Sequence, residues 1–180
     1  MNSESLIRAA AVQMAPVLGD LEHNRRAILD WLHQAHQRGA RLVVFPECAL
    51  SGYVFGVAEE AHEAAESVPG QTSRLLTEAC ADLGVWAVVG LLEVSGDDLY
   101  NSALVVGPSG VLACYRKAHL PFLGVDRFVQ QGSELEVVRT PVGILGPLIC
   151  YDLRFPALYR RLAQAGAQIL TVPAAFNHIT

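Results

Sequence analysis

The sequence predicts an α/β fold whose sheet is partly antiparallel, on three observations. Strand-like and helix-like segments alternate from the start of the chain. Several strand-like runs are apolar on both faces, as strands covered on two sides are. Two further apolar runs, residues 102–106 and 111–116, flank Gly107-Pro108-Ser109-Gly110, a hairpin turn that joins antiparallel neighbours.

Residues 6–14 form the first run, rich in Ala, Ile and Val, and end at Pro16 and Gly19-Asp20. Asp20 is placed to cap a helix in which Leu21, Ile28, Leu32 and Ala35 recur at helical spacing and Gly39 supplies the stop. Residues 41–45 are the second strand, closed by Pro46-Glu47. Strand, helix, strand over this distance is a βαβ unit, so these strands should run parallel. Residues 51–66 read as loop with a short helical piece, punctuated by Pro69-Gly70. Leu75, Leu76, Ala79, Cys80 and Leu83 share one face of the next helix, which Gly84 ends; residues 85–92 are the third strand. Residues 118–132 have no period and mix Pro, Gly, aromatic and charged side chains, the pattern of a working loop. Residues 135–138 and 142–149 are strands around Thr140-Pro141. Pro147 cannot donate to a ladder, so a bulge or an unpaired edge is expected there. Pro156 opens the last helix, with Leu158, Leu162 and Ala165 inward and Gly166 as its stop, before a final strand at 169–172.

Composition narrows the function. The chain has 180 residues, is 52% hydrophobic and carries a net charge of −5, which suits one domain spanning residues 1–180. That charge leaves no footprint for nucleic acid or an anionic membrane, and no apolar run is long enough to span a bilayer. Met1-Asn2-Ser3-Glu4-Ser5 has no basic region leading into a cleavable apolar one, so a cytoplasmic location is expected. Cys48, Cys80, Cys114 and Cys150 are widely spaced and form no CxxC pair, against a zinc cage or a disulfide framework. No second histidine lies at metal spacing from His119, and Met14-Ala15-Pro16-Val17-Leu18-Gly19 lacks the GxGxxG of a nucleotide-binding turn.

Three apolar strands each end in a reactive group: Glu47 after residues 43–46, Lys117 after residues 114–116, and Cys150 after Leu148-Ile149. Singly, each has an ordinary explanation as a solvated strand end or a space-filling thiol. Together they make a cysteine nucleophile with a carboxylate to take its proton and a cation to favour the thiolate and hold an oxyanion. Phe45 and Pro46 would desolvate Glu47 and raise its pKa. Asp152 and Arg154 would pair with each other or cap the following helix. A Cys150 activated in this way should outpace the other thiols with iodoacetamide.

Phe45-Pro46-Glu47, the segment from Tyr115 to Leu120 and the segment from Ile149 to Pro156 resemble, in order, the three signature segments of the nitrilase superfamily of carbon–nitrogen hydrolases. The likeness runs from Ala11-Val12-Gln13 to Val172-Pro173-Ala174-Ala175-Phe176. It implies a four-layer αββα sandwich with mixed sheets, paired into a homodimer or higher homo-oligomer. It implies a triad of Glu47, Lys117 and Cys150, with the Tyr151 backbone N–H as a second oxyanion donor and no metal or organic cofactor. The implied substrate is a small non-peptide amide, ahead of a nitrile or a carbamoyl compound, with Tyr53, Phe55, Phe122 and Phe128 as candidate pocket residues. The alternative is a shortened relative that keeps the fold and acts as a binding or assembly partner. The sequence also departs from the family. Where many relatives carry a second glutamate after the lysine, the nearest acid here is Asp126. Leu153 stands where N-carbamoyl-D-amino acid hydrolases have the first of two arginines. Relatives continue well past the Val172–Phe176 segment, so the C-terminal part of the family fold is expected to be absent and the exposed sheet to favour association.

Overall fold

The computed structural model describes residues 6–176. Its two sheets are built as the alternation of residue types requires. The first has five strands in the order β1 (Ala9–Ala11), β2 (Leu42–Val44), β3 (Trp86–Ser95), β4 (Asp98–Gly107) and β5 (Gly110–Arg116). β1, β2 and β3 are parallel, and β3, β4 and β5 are antiparallel. The second sheet has three strands, β6 (Val138–Thr140), β7 (Gly143–Pro147) and β8 (Ile169–Thr171), with β7 central.

Successive strand residues face opposite sides. Val43, Ala87, Val89, Leu104 and Val106 point to one side of the first sheet, where Ile28 and Leu32 of α1 (Leu21–Gln37) and Leu76 and Ala79 of α3 (Gln71–Leu83) cover them. Leu42, Val88, Ala103 and Val105 point the other way and pack against Leu145, Leu148 and Ile149 of the second sheet's side. Leu158 and Leu162 of α4 (Pro156–Gln164) close that core from beyond the second sheet. The layers are therefore α, β, β, α. α1 starts where Asp20 Oδ1 accepts from the His23 N–H at 2.9 Å and stops before Gly39, at φ 82°. A short helix, α2 (Ala58–Glu63), lies in the loop that follows β2.

Several elements differ from the sequence expectation. β3 and β4 are ten residues each and meet at a second hairpin, with Ser95 opposite Asp98. β4 starts four residues before the expected Ser102, because Asp98, Tyr100 and Asn101 are polar, although Asn101 is buried. β6 begins at Val138, three residues later than the start expected from the Leu135 run. Of the two outcomes expected at Pro147, the unpaired edge forms and the bulge does not: Pro147 pairs with Thr171 at the end of β7. The neighbouring Leu148 N–H donates to Thr171 O, so the missing Pro147 donor faces the β6 side, where pairing has already ended at Val138–Leu145. Ala165, expected inward, is exposed because it already belongs to the end of α4. Asn177-His178-Ile179-Thr180 lie outside the described residues. Among the described residues no helix is long and apolar enough to cross a membrane.

Candidate active site

Glu47 leaves β2 through a turn that packs against β3. Phe45 N–H still donates to Val88 O at 2.8 Å, and Leu50 N–H donates to Gly90 O at 3.2 Å. Between them the chain runs so close to Gly90 that a Cβ there would lie 2.4 Å from Pro46 O and 2.7 Å from Glu47 Cα. Only glycine permits that approach. Lys117 follows β5 directly, its N–H donating to Asn101 O at 2.8 Å. Asp126 sits in a 3-10 turn, Gly124–Arg127, tied down by Val125 N–H donating to Tyr53 O at 2.8 Å.

These elements bring Glu47, Lys117 and Asp126 into contact, all of them buried. Lys117 Nζ lies 2.6 Å from Glu47 Oε1 and 2.5 Å from Asp126 Oδ2. Asn101 Nδ2 donates to Glu47 Oε1 at 2.7 Å and to Asp126 Oδ1 at 2.8 Å. The Tyr53 hydroxyl lies 2.9 Å from Asp126 Oδ2 and 2.8 Å from Leu123 O, both acceptors for its single proton. Ala175 N–H donates to Glu47 Oε2 at 3.1 Å. Asn101 is the member that sequence reasoning missed. Its one available signal was a polar residue in an apolar strand, Tyr100-Asn101-Ser102, which reads equally well as loop.

Cys150 opens a 3-10 turn, Cys150–Arg154, at a positive φ of 41°. The left-handed backbone is costly for a side chain with Cβ and turns the thiol away from the direction of the strand. Its own N–H donates to Pro173 O at 2.9 Å, so the ladder reaches further than its strand-tip position implies. No described residue accepts from the Tyr151 N–H. The turn is held from beneath by Asp152, which is fully buried. Asp152 neither pairs with Arg154 nor caps α4. Its Oδ2 accepts from the Tyr115 hydroxyl at 2.8 Å and the Ile149 N–H at 3.1 Å, and its Oδ1 accepts from the His119 N–H at 2.9 Å. His119 stacks on Phe155 at 3.5 Å between ring centroids. Asp152 thus ties the end of β5, which carries Lys117, to the turn that carries Cys150.

The electrostatics follow from burial. Glu47 has its pKa raised, first by desolvation, against the charge and hydrogen bond of Lys117. Lys117 is desolvated too, yet the charges of Glu47 and Asp126 outweigh this and raise its pKa, so it stays an ammonium. Cys150 departs from the sequence expectation. Burial, then the negative charge of Glu47, pushes its thiol up to about 11, because Lys117 is already engaged by two carboxylates. The resting thiol is protonated.

A cleft of about 580 Å³ opens over Glu47 and Tyr53, walled by residues 11–16, 44–46, Val172 and 174–176 among others. Of the aromatic candidates Tyr53 alone lines it. Phe55 is buried in a separate core with Val125 and Leu92, Phe128 packs on that core, and Phe122 is 72% exposed. Those three were drawn by their loop position, and loop position does not say which way a side chain turns.

The family model described as carbon-nitrogen hydrolase matches residues 8–179. The chain belongs to that family. A protein named nitrilase from Pyrococcus abyssi is 37% identical over 172 residues, which is 94% of this chain and 65% of that protein. The omega-amidase NIT2 of Danio rerio is 38% identical over 157 residues, 82% of this chain and 56% of its own length. Nit3 of Saccharomyces cerevisiae, a solved member of the nitrilase superfamily, superposes with a TM-score of 0.86 at 26% identity, over 96% of this chain and 66% of that one. The carbon–nitrogen hydrolase chain described here therefore spans roughly three-fifths of the length of the curated relatives it matches.

Proposed function

We propose that this chain carries the catalytic apparatus of a hydrolase that cleaves the carbon–nitrogen bond of a small, non-peptide amide through a thioester on Cys150. One observation carries the reading: a buried ammonium, Lys117 Nζ, held between two buried carboxylates at 2.6 and 2.5 Å, with one of them charging the environment of a thiol. A structural ion pair needs one carboxylate. A second, together with a desolvated glutamate, keeps the cation charged and gives the thiol an acceptor for its proton.

Cys150 Sγ bonds to the carbonyl carbon as its proton passes to Glu47, and the carbonyl π pair moves to oxygen. Two Lys117 hydrogens are engaged by carboxylates, and the third remains for that oxyanion beside the Tyr151 N–H. When the intermediate collapses, the C–N bond breaks, and nitrogen leaves as ammonia or an amine carrying the proton from Glu47. Water then gives a proton to Glu47 and attacks the thioester. The C–S bond breaks, the sulfur recovers its proton and the carboxylic acid departs. Asp126 stands where many relatives have glutamate, and in this reading it holds Lys117 in place and takes no proton.

Both an amide and a nitrile substrate occur in the names of the relatives, so a screen for ammonia release should include both classes of compound. The reading expects release from at least one small aliphatic or aromatic amide, abolished by Cys150→Ala with folding intact. Release that survives Cys150→Ala, or none from any member of the panel, would overturn it. Association into a homodimer or larger homo-oligomer belongs to the same proposal. It is supported by the outer edge of β1, which no other described strand covers, and by exposed Leu6, Leu170 and Phe176.

A further inference from the structure

The side chain that organises the buried charges is an uncharged one. Asn101 comes from the middle of the first sheet, near the start of β4, and is fully buried. Its orientation is set by its partners. The amide nitrogen faces two carboxylates, which only accept, and its Oδ1 faces the Cys48 thiol at 3.7 Å. Burial, then the charges of Glu47 and Asp126, raise the pKa of that thiol, which keeps it protonated and hence a donor.

The consequence for Glu47 is an asymmetry between its two oxygens. Oε1 accepts from Lys117 Nζ at 2.6 Å and from Asn101 Nδ2 at 2.7 Å, which fills both of its lone-pair directions. Oε2 accepts, among the described residues, from the Ala175 N–H alone, at 3.1 Å. The same segment that supplies Ala175 also accepts the Cys150 N–H through Pro173 O, so residues 173–175 bridge the nucleophile to the open oxygen of the base.

The geometry points to Asn101 as a positioning residue: by donating one amide hydrogen to Glu47 and the other to Asp126, it keeps the two carboxylates apart on either side of Lys117 and leaves Glu47 Oε2 as the oxygen that takes the Cys150 proton. This rests on the hydrolase reading above for its catalytic consequence, although the effect of Asn101 on Glu47 stands without turnover. Removing a donor from a carboxylate weakens its charged form. Glu47 would then hold its proton to higher pH, and both Oε1 and Oε2 would be open to it.

The test uses Asn101→Leu, which keeps the bulk and removes both donors, and Asn101→Ser, which leaves space for water and offers one hydrogen. Thermal unfolding checks that each variant folds. In both, kcat should fall on the order of 10- to 100-fold with KM changed by less than about threefold, since Asn101 does not line the cleft. The acid limb of the kcat/KM profile should move to higher pH by about one unit in Asn101→Leu, the equivalent of one charged hydrogen bond, and by less in Asn101→Ser. An infrared titration of the Glu47 carboxyl band, assigned by its loss in Glu47→Gln, should show the same upward shift without substrate. A uniform fall in rate with unmoved midpoints in a folded variant would overturn the proposal. If the wild-type chain hydrolyses no amide, the hydrolase reading falls, and the infrared midpoints still decide the role of Asn101.

Discussion

Cys150 and Lys117 show how little a residue's type says about its charge state until its neighbours are placed. A lysine near a thiol ordinarily favours the thiolate. Here Lys117 is engaged on two sides, and the Cys150 thiol is pushed up to about 11 by burial and by Glu47. Cys80 and Cys114 are pushed up to about 12 and Cys48 well beyond its ordinary value, in each case first by burial. Alkylation by iodoacetamide, mapped by mass spectrometry, should therefore reach Cys150 before the others, with a rate still rising through pH 9 towards about 11. A plateau below pH 8 would show a preformed thiolate and contradict this electrostatic account. Lys117→Met should cost about 3–5 kcal/mol in chemical denaturation, because it leaves two buried carboxylates facing each other. The cost should shrink at acid pH: Glu47 has its folded pKa raised, so it protonates readily there and the repulsion is relieved.

At the scale of elements, the site depends on close backbone approach. The turn that delivers Glu47 lies against β3 at Gly90, and the first atoms a Cβ would meet are backbone atoms of Pro46, Glu47 and Cys48, which cannot swing aside. Gly90→Ala should destabilise the fold by about 1–3 kcal/mol, as overpacking does, and lower activity more than that loss explains, since the displaced atom is Glu47 Cα. Equal activity per folded molecule would show that the turn tolerates the shift. The hairpin of β3 and β4 was legible only in part. Apolar alternation reveals a strand where one face meets oil, and it fails at Asn101, whose burial is compensated by hydrogen bonds to Glu47 and Asp126. The strand ends at Glu47, Lys117 and Cys150 were legible, because an apolar run closed by a polar residue is a local signal. At Pro147 the sequence left a bulge and an unpaired edge both open, and the edge is what forms, because only the fold says on which side of a strand the neighbour stops.

The described residues form a sandwich of two sheets between helices, with a cleft over Glu47 and with strand edges that no other described strand covers. Among the described residues β1 has a partner on one side only, and Leu6 is fully exposed. Sedimentation velocity across a range of concentrations should show a dimer or a larger species at micromolar protein, in keeping with the edge and the exposed apolar side chains. A single monomeric boundary at every concentration would count against the proposed association.

From its sequence alone this protein is an α/β chain with an acid, a cation and a thiol at three strand tips, in segments that resemble those of one family. Those features rest on short windows, where periodicity and Pro or Gly punctuation act locally. Tertiary structure alone decided that Asn101 joins the group, that Lys117 is engaged by both Glu47 and Asp126, and that burial raises the pKa of Cys150. Each of these depends on burial and on contacts between residues 70 positions apart, as for Lys117 and Glu47, or further, and neither quantity is written in any local stretch of chain.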